Sequence, residues 1–294
     1  MTTPLVSEEI ASQPHAWRQA AALAASAPLP ARGLRVAVVG CGTSWFVAQA
    51  YAVRRESLGH GVTDAFAASE FPVERDYDLV VAISRSGTTT EVLDLLGTLR
   101  GRVRTLAVIG DPESPGRGAA DDVVVLPFAD ERSVVQTRFA TSALTLLRAG
   151  LGDDTESLAA AADEVVHWPV PEALLERTQF TFLGRGWSVG LAHEAALKAR
   201  EAAIAWTESY PAMDYRHGPK AISDSDSAVV FLGERPDGLV AEVEATGALA
   251  LWFDEDPQLT LVRCQRFAVE YALSKGLDPD RPRNLTRSIV LSGE

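Results

Sequence analysis

Val39-Gly40-Cys41-Gly42-Thr43-Ser44-Trp45-Phe46-Val47-Ala48 lines up with Leu183-Gly184-Arg185-Gly186-Trp187-Ser188-Val189-Gly190-Leu191-Ala192, an offset of 144 (183 against 39). Each copy follows an apolar, β-branched or aromatic run, Leu34 to Val39 in the first case and Gln179 to Leu183 in the second. Such a run, closed by a glycine turn and followed by small and apolar residues at helical spacing, reads as strand, tight turn, helix. The unit recurs at Asp78 to Ile83 with the helix Thr90 to Leu99, and a further strand is expected at Arg104 to Ile109. Strands alternating with helices imply a parallel sheet covered on both faces, hence an α/β fold. Self-similarity at a fixed offset implies two copies of it.

With 294 residues, at roughly 150 per domain, the chain has room for two such halves. We divide it into a helical segment 1–30, a first half 31–170 and a second half 171–294, the boundary being marked by Trp168-Pro169-Val170-Pro171. Residues 8–27 carry Ile10, Trp17, Ala20, Ala21, Leu23 and Ala24 at helical spacing, broken at Pro14, and read as a lid or dimer helix.

Composition excludes several classes. A 47% hydrophobic, 23% charged chain without an apolar run of ~18 residues is an ordinary globular protein and not a membrane-spanning one. Met1 to Glu9 holds no basic region followed by an apolar segment, so no secretory signal is expected and the protein is assigned to the cytoplasm. Cys41 and Cys264 stand alone, without metal-ligand spacing, so neither a disulfide framework nor a metal is expected. A formal net charge of -13 disfavours a polyanion, and no nucleic acid or membrane partner is expected. A small anion in a local pocket remains open.

Ser84-Arg85-Ser86-Gly87-Thr88-Thr89 sets hydroxyls, a glycine and a helix N-terminus at the end of a strand. Backbone N–H groups, hydroxyl donors and the positive end of a helix dipole then point to one place, which suits a phosphate dianion. The same residues also fit a plain helix cap and polar loop, with Arg85 a surface arginine. The position at a strand's carboxyl end, where open α/β sheets bind ligands, favours the phosphate. Gly40 to Ser44 lacks the third glycine and the later acidic residue of a dinucleotide fingerprint, so no nicotinamide cofactor, and no cofactor at all, is expected. Cys41 reads as a small packed residue rather than a nucleophile. In the second half, Glu194, Leu197, Lys198 and Glu201 share a helix face, and Lys198 can meet Glu201 as an i, i+3 pair. A Glu/Lys/Arg run of this kind is usually a solvated face. A Glu201 opening into a pocket would instead abstract a proton beside a carbonyl, and His217, before a Gly-Pro turn, would shuttle one.

Taken in order, these motifs resemble the sugar isomerase (SIS) family, and in particular the isomerase domain of glutamine:fructose-6-phosphate aminotransferase, over roughly residues 8 to 290. Glu9-Ile10 with Gln13-Pro14, Cys41-Gly42-Thr43-Ser44, Ala68-Ser69-Glu70-Phe71 and Ser84-Arg85-Ser86-Gly87 match the first half, the last standing where the family usually has Ser-Gln-Ser-Gly. Glu194 to Glu201, Arg216-His217-Gly218-Pro219 and Arg281-Pro282-Arg283-Asn284-Leu285 match the second half and its tail. The resemblance implies two tandem SIS domains, each doubly wound in the flavodoxin-like manner. It further implies that Ser44, Ser84, Arg85, Ser86 and Thr89 hold a phosphate, that Gly42, Thr43, Arg283 and Arg287 contribute to the rest of the substrate site, and that Glu201, Lys198 and His217 are catalytic. His217 would be supplied by the partner subunit of a homodimer with shared active sites.

Two departures bear on the reaction. No glutaminase segment with an N-terminal cysteine precedes the repeat, so ammonia release from glutamine is not expected. The family's tail lysine, which forms a Schiff base in the synthase, is Arg287 here, and a guanidinium does not form one. The expected activity is that of an isomerase or deaminase acting on a hexosamine 6-phosphate such as glucosamine 6-phosphate. Elimination of the C3 substituent of an N-acetylhexosamine 6-phosphate, a dehydratase or lyase reaction, follows from the same proton abstraction and stays open. So does a non-catalytic phosphosugar sensor, which the paired copies and the Glu201/His217 pair disfavour.

Overall fold

A computed structural model describes residues 3–291. Met1 and Thr2, the start of the stretch read for a secretory signal, and the final three residues of the second half lie outside the described residues. Helices α1 (Leu5–Ala11) and α2 (Gln13–Leu23) lead into β1 (Val36–Gly40), α3 (Thr43–Ser57), β2 (Thr63–Ala67), β3 (Leu79–Ser84), α4 (Thr90–Leu99), β4 (Arg104–Ile109), β5 (Asp122–Val125), α5 (Arg138–Ala149) and α6 (Thr155–Val165). The chain continues through α7 (Glu172–Leu175), β6 (Gln179–Gly184), α8 (Ser188–Ala203), β7 (Trp206–Pro211), β8 (Ser227–Leu232), α9 (Leu239–Glu244), β9 (Leu249–Trp252) and α10 (Pro257–Ser274). None of these helices is long and apolar enough to cross a membrane.

The residues pack as two compact units that do not follow the chain linearly. Ser12–Ala159 joins the described tail from Thr286 onward, while Ala160–Leu285 joins the described residues up to Ala11. The division falls inside α6 rather than at the proline-marked stretch near 170, because packing and not linker composition defines a unit. The leading helical segment is itself divided. Leu5 and Val6 donate their backbone N–H groups to the Asp280 carboxylate at 2.7 and 2.9 Å, which supplies the donors at the start of α1 with an acceptor. Trp17 of α2 is fully buried, and its Nε1–H donates to Thr141 Oγ1 of α5 at 2.9 Å. Its indole is therefore part of the core of its own unit. The break or restart read at Pro14 is a restart: α1 ends at Ala11, and the proline sits in the first turn of α2, where no intrahelical N–H is lost.

In the first-half unit five parallel strands run in the order β2-β1-β3-β4-β5, with Val39 of β1 opposite Phe66 on one side and Ala82 on the other. Both central strands, β1 and β3, are buried along their whole length, as strands covered on two faces must be. Ala37, Val39, Val80 and Ala82 form one face of the sheet and pack on Val92, Leu95, Leu96 and Leu99, the apolar stripe of α4. The second-half unit repeats the strand order as β7-β6-β8-β9, again parallel, with Leu183 opposite Tyr210 and Phe231.

The repeat seen in the sequence extends to atomic detail. A Cβ on Gly40 would meet Ser44 at 2.7 Å, and one on Gly184 would meet Ser188 at 2.3 Å, so in each unit the strand end lies against the helix that follows and only glycine fits. Gly42 (φ 53°) and Gly186 (φ 59°) both take the left-handed backbone that turns the chain into that helix.

Candidate functional site

In both sheets the chain leaves its first strand in opposite directions, creating a switch point at the carboxyl ends of β1 and β3 and of β6 and β8. The loops at the first of these hold Gly42, Thr43 and Ser44 after β1 and Ser84 to Thr89 after β3, so the sequence-predicted phosphate residues other than Arg85 share one end of one sheet. Thr43, Ser44, Ser84 and Ser86 are all buried. The β3–α4 loop is folded on itself: the Gly87 N–H donates to Ser84 Oγ at 3.2 Å, and Ser86 Oγ accepts from the Thr88 N–H at 3.2 Å and from the Thr88 hydroxyl at 3.0 Å. Thr89 precedes α4 without capping it through its side chain, so these hydroxyls are not explained as a helix cap.

Arg85, expected among the phosphate ligands or as a surface arginine, is buried rather than on the surface. Its Nη1 donates to the carbonyls of Ser133 at 3.0 Å and Val134 at 3.3 Å, and its Nη2 donates to the carbonyl of Arg287. The fully buried carboxylate of Glu131 lies 3.9 Å away. Arg85 thus ties the β3–α4 loop to the 131–134 segment and to the tail. Glu131, which sequence reading missed, accepts from the Thr137 N–H at 2.7 Å, the Thr137 hydroxyl at 2.8 Å and the Arg138 N–H at 2.6 Å, the donors at the start of α5. An acid six residues before a threonine at a helix start is the only signal it left.

Arg287 pairs with Asp130 through Nη2 and donates from Nε to the Glu131 carbonyl at 3.0 Å. Its guanidinium is accordingly engaged in holding the tail. The Thr88 hydroxyl meets Ser288 Oγ at 3.0 Å, and the Thr90 N–H, at the very start of α4, donates to the Ile289 carbonyl at 3.2 Å. Cys41, at the neighbouring turn, is a free thiol raised above its ordinary value by burial and then by the Glu91 carboxylate, which fits packing and not nucleophilic attack.

The remaining predicted residues belong to the other unit. α8 carries Glu194, Lys198 and Glu201 on one face, and the structure overturns the solvated-face reading. Lys198 Nζ lies 3.5 Å from Glu194 Oε1 and in direct contact with Glu201 Oε2; the Lys198 and Glu194 side chains are 1% and 0% exposed, that of Glu201 20%. His193, one residue before, shares a hydrogen bond of 2.9 Å between Nδ1 and Ser209 Oγ, and burial followed by the Arg200 charge pushes its imidazole below the ordinary value.

His217 is exposed on a short turn, Asp214–His217. That turn is fastened on either side of the histidine: Arg216 Nη2 and Lys220 Nζ both reach the Glu242 carboxylate at 2.8 Å, and these two partners pull the Glu242 carboxyl down to about 2. Arg283 is exposed in the segment after α10. Lys198 and Glu201 are therefore brought together, while His217 and Arg283 are exposed on separate segments of the same unit.

Residues 31–149 match the SIS domain family. The chain is 30% identical over 296 residues to the isomerizing glutamine--fructose-6-phosphate aminotransferase of Sulfolobus acidocaldarius, covering 87% of this chain and 50% of that one. It spans about half the length of the curated relatives it matches. Among solved structures, glucosamine-6-phosphate deaminase from Thermotoga maritima superposes with a TM-score of 0.85 at 26% identity, covering 97% of this chain and 99% of that one. Tagatose-6-phosphate ketose/aldose isomerase from Escherichia coli superposes with a TM-score of 0.80 at 19% identity, covering 98% and 96%, a likeness of fold.

Proposed function

We propose, from the match of residues 31–149 to the SIS domain family and the likeness of the chain to glutamine--fructose-6-phosphate aminotransferases, that it is a phosphosugar isomerase or deaminase acting on a hexosamine 6-phosphate. The observation that carries the reading is the buried Lys198 held against a partly exposed Glu201 at the end of α8. A carboxylate that keeps some access while an ammonium beside it stabilises negative charge is equipped to take a proton from carbon next to a carbonyl.

The proposed ligands of the sugar phosphate are Ser44, Ser84, Ser86 and Thr89, and the proposed base toward C2 of the open-chain aldose is Glu201. Glu201 takes the C2 proton, the C2–H electron pair becomes the C1–C2 double bond, and the C1 carbonyl oxygen is protonated. Return of a proton to C1 and loss of one from the C2 substituent yields a ketose if that substituent is a hydroxyl. With a 2-amino group it yields an imine, which water hydrolyses to ketose and ammonia. Glucosamine-6-phosphate deaminase is what the Thermotoga maritima structure is named for, which supports the amino sugar as the substrate to try first. The engagement of Arg287 with Asp130 supports a route without an imine to the protein at that position. His217 would act as the ring-opening acid/base from a second subunit, consistent with its exposure on a braced turn.

Proton NMR of the protein in D2O with glucosamine 6-phosphate tests this. Loss of the C2 proton signal together with ketose and ammonia is the expected result. Vinyl signals from N-acetylglucosamine 6-phosphate would move the assignment to elimination, and binding of both sugars without exchange in either would overturn the enzymatic reading. Glu201→Gln should lower turnover by roughly 100-fold or more.

A further inference from the structure

At the switch point of the second-half unit lies a cavity of about 280 Å3, close to the ~300 Å3 from which small-molecule sites begin. Its wall includes Arg185, the residue after β6, with Glu234, Arg235 and Asp237 just after β8 and Met213 and Arg216 after β7. The lining holds three guanidinium groups against two carboxylates, a local excess of positive charge in a chain of net charge -13. Strand register shows what these residues replace. Val39 of β1 stands opposite Ala82, and Leu183 of β6 opposite Phe231. Arg185 therefore takes the place of Cys41, and Arg235 that of Ser86. Ser188, the counterpart of Ser44, is engaged in the fold: its hydroxyl donates to the Leu232 carbonyl at 2.6 Å and accepts from the Arg185 N–H at 2.9 Å. Where the first unit sets hydroxyls, the second sets arginines.

We propose that this cavity is a second anion site, separate from the hydroxyl-rich loop after β3. It takes a phosphate group, free or as the ester of a small molecule, on the guanidinium forks of Arg185 and Arg235, with Arg216 as a fixed charge beside them. Planar guanidinium groups offer paired N–H donors that match phosphate oxygens. Gly186, with φ of 59°, has open space where a Cβ would stand, so a ligand can come close to the backbone that leads into α8. The positive end of that helix adds to the attraction.

The arginines are anchored in ways that leave an anion room to bind. Arg216 is fixed by Glu242 at Nε, 3.0 Å, by the Asp237 carbonyl at Nη2, 2.8 Å, and by Met213 Sδ at Nη1, 3.3 Å. Arg235 lies over the Trp252 ring, 5.3 Å from its centroid, which orients the guanidinium plane. Arg235 pairs with Asp254 and Arg185 with Glu234, and these two acids are 83% and 66% exposed. Partners so exposed hold an arginine weakly, because water and salt compete for both charges. A phosphate dianion carries more charge and more acceptor oxygens than either carboxylate, so it displaces them.

Calorimetric titration with inorganic phosphate at low ionic strength tests this. A binding event that survives in the Ser84→Ala/Ser86→Ala variant and is weakened roughly 100-fold in Arg185→Gln/Arg235→Gln is the expected result. Glu234→Gln removes a competing carboxylate and should tighten phosphate binding about 3-fold, a gain that a misfolded protein would not show. Undiminished binding in Arg185→Gln/Arg235→Gln would overturn the proposal, as would unchanged affinity in Glu234→Gln. Loss of all phosphate binding in Ser84→Ala/Ser86→Ala would overturn it too, by leaving the arginine cavity without a ligand. In that serine variant, glucosamine 6-phosphate binding more tightly than phosphate assigns the cavity to an ester, and equal or weaker binding assigns it to the free anion. The two pairs of variants lie in different units, so failure of the loop after β3 as a phosphate site and failure of this cavity read out separately.

Discussion

A Cβ placed on Gly87 would stand 2.1 Å from the hydroxyl oxygen of Ser114, and the Gly87 carbonyl accepts from the Gly116 N–H at 2.9 Å. The β3–α4 loop is thus pressed against the segment that follows β4, at a residue with φ of 60°. Gly87→Ala combines a left-handed backbone with a collision, a strain of about 1–3 kcal/mol that the loop must relieve by moving. Inorganic phosphate and substrate should bind roughly 10-fold more weakly. Calorimetric titration checks this, and unchanged affinity would show that the loop does not form the phosphate site.

Glu131 gathers the first N–H groups of α5 and has no exposed side-chain surface. Glu131→Ala leaves those donors without their acceptor and removes the carboxylate 3.9 Å from the Arg85 guanidinium, and the cost should be about 3 kcal/mol in denaturant unfolding. A loss below about 1 kcal/mol would mean that water replaces the carboxylate.

Arg287 and Asp130 are about one-third exposed, so their pair contributes at most about 1 kcal/mol. Arg287→Ala should leave the thermal midpoint within about 2–4 °C of wild type. The described tail beyond Thr286 should nevertheless be cut faster by proteinase K, because Arg287 loses Asp130 and the Glu131 carbonyl together. Equal cleavage rates would place the hold on the tail in Ser288 and Ile289 instead.

His193 is held below its free value of 6.5 by burial and the Arg200 charge, so the unfolded chain binds its proton first as pH falls. Its contribution is fully present above pH 6.5 and is lost as pH drops toward the lower folded value. Between pH 7 and 5 the wild-type thermal midpoint should fall more steeply than that of His193→Gln. Parallel curves would show that the imidazole titrates alike in both states.

Much of the fold was legible because strand, glycine turn and helix are local. The runs at Val36 to Val39 and Phe180 to Leu183 are β-branched or aromatic, and the glycines at 40, 42, 184 and 186 stand where close approach or positive φ leaves no alternative. Arg104–Ile109 and Thr90–Leu99 appear with the expected bounds for the same reason. The division into units was less legible, since prolines near 170 mark an irregular stretch between α6 and α7 while packing places the seam inside α6.

The sequence by itself determined the repeat, the parallel α/β character and the hydroxyl-rich loop at the end of β3, because each depends on residues close together in the chain. Only the tertiary structure decided which charges are buried. The run Glu194, Lys198, Glu201 has the composition of a solvated face, and it becomes a buried ion cluster because α10 and the β6–β8 sheet cover α8. Arg85 was read as a phosphate ligand or a surface arginine and Arg287 as a substrate-binding cation, and the structure gives them intramolecular acceptors in the carbonyls of Ser133, Val134 and Glu131 and the carboxylate of Asp130. Those acceptors lie 48 to 157 residues away in the chain, beyond the reach of local pattern, and a guanidinium turns to whichever acceptors the fold brings to it.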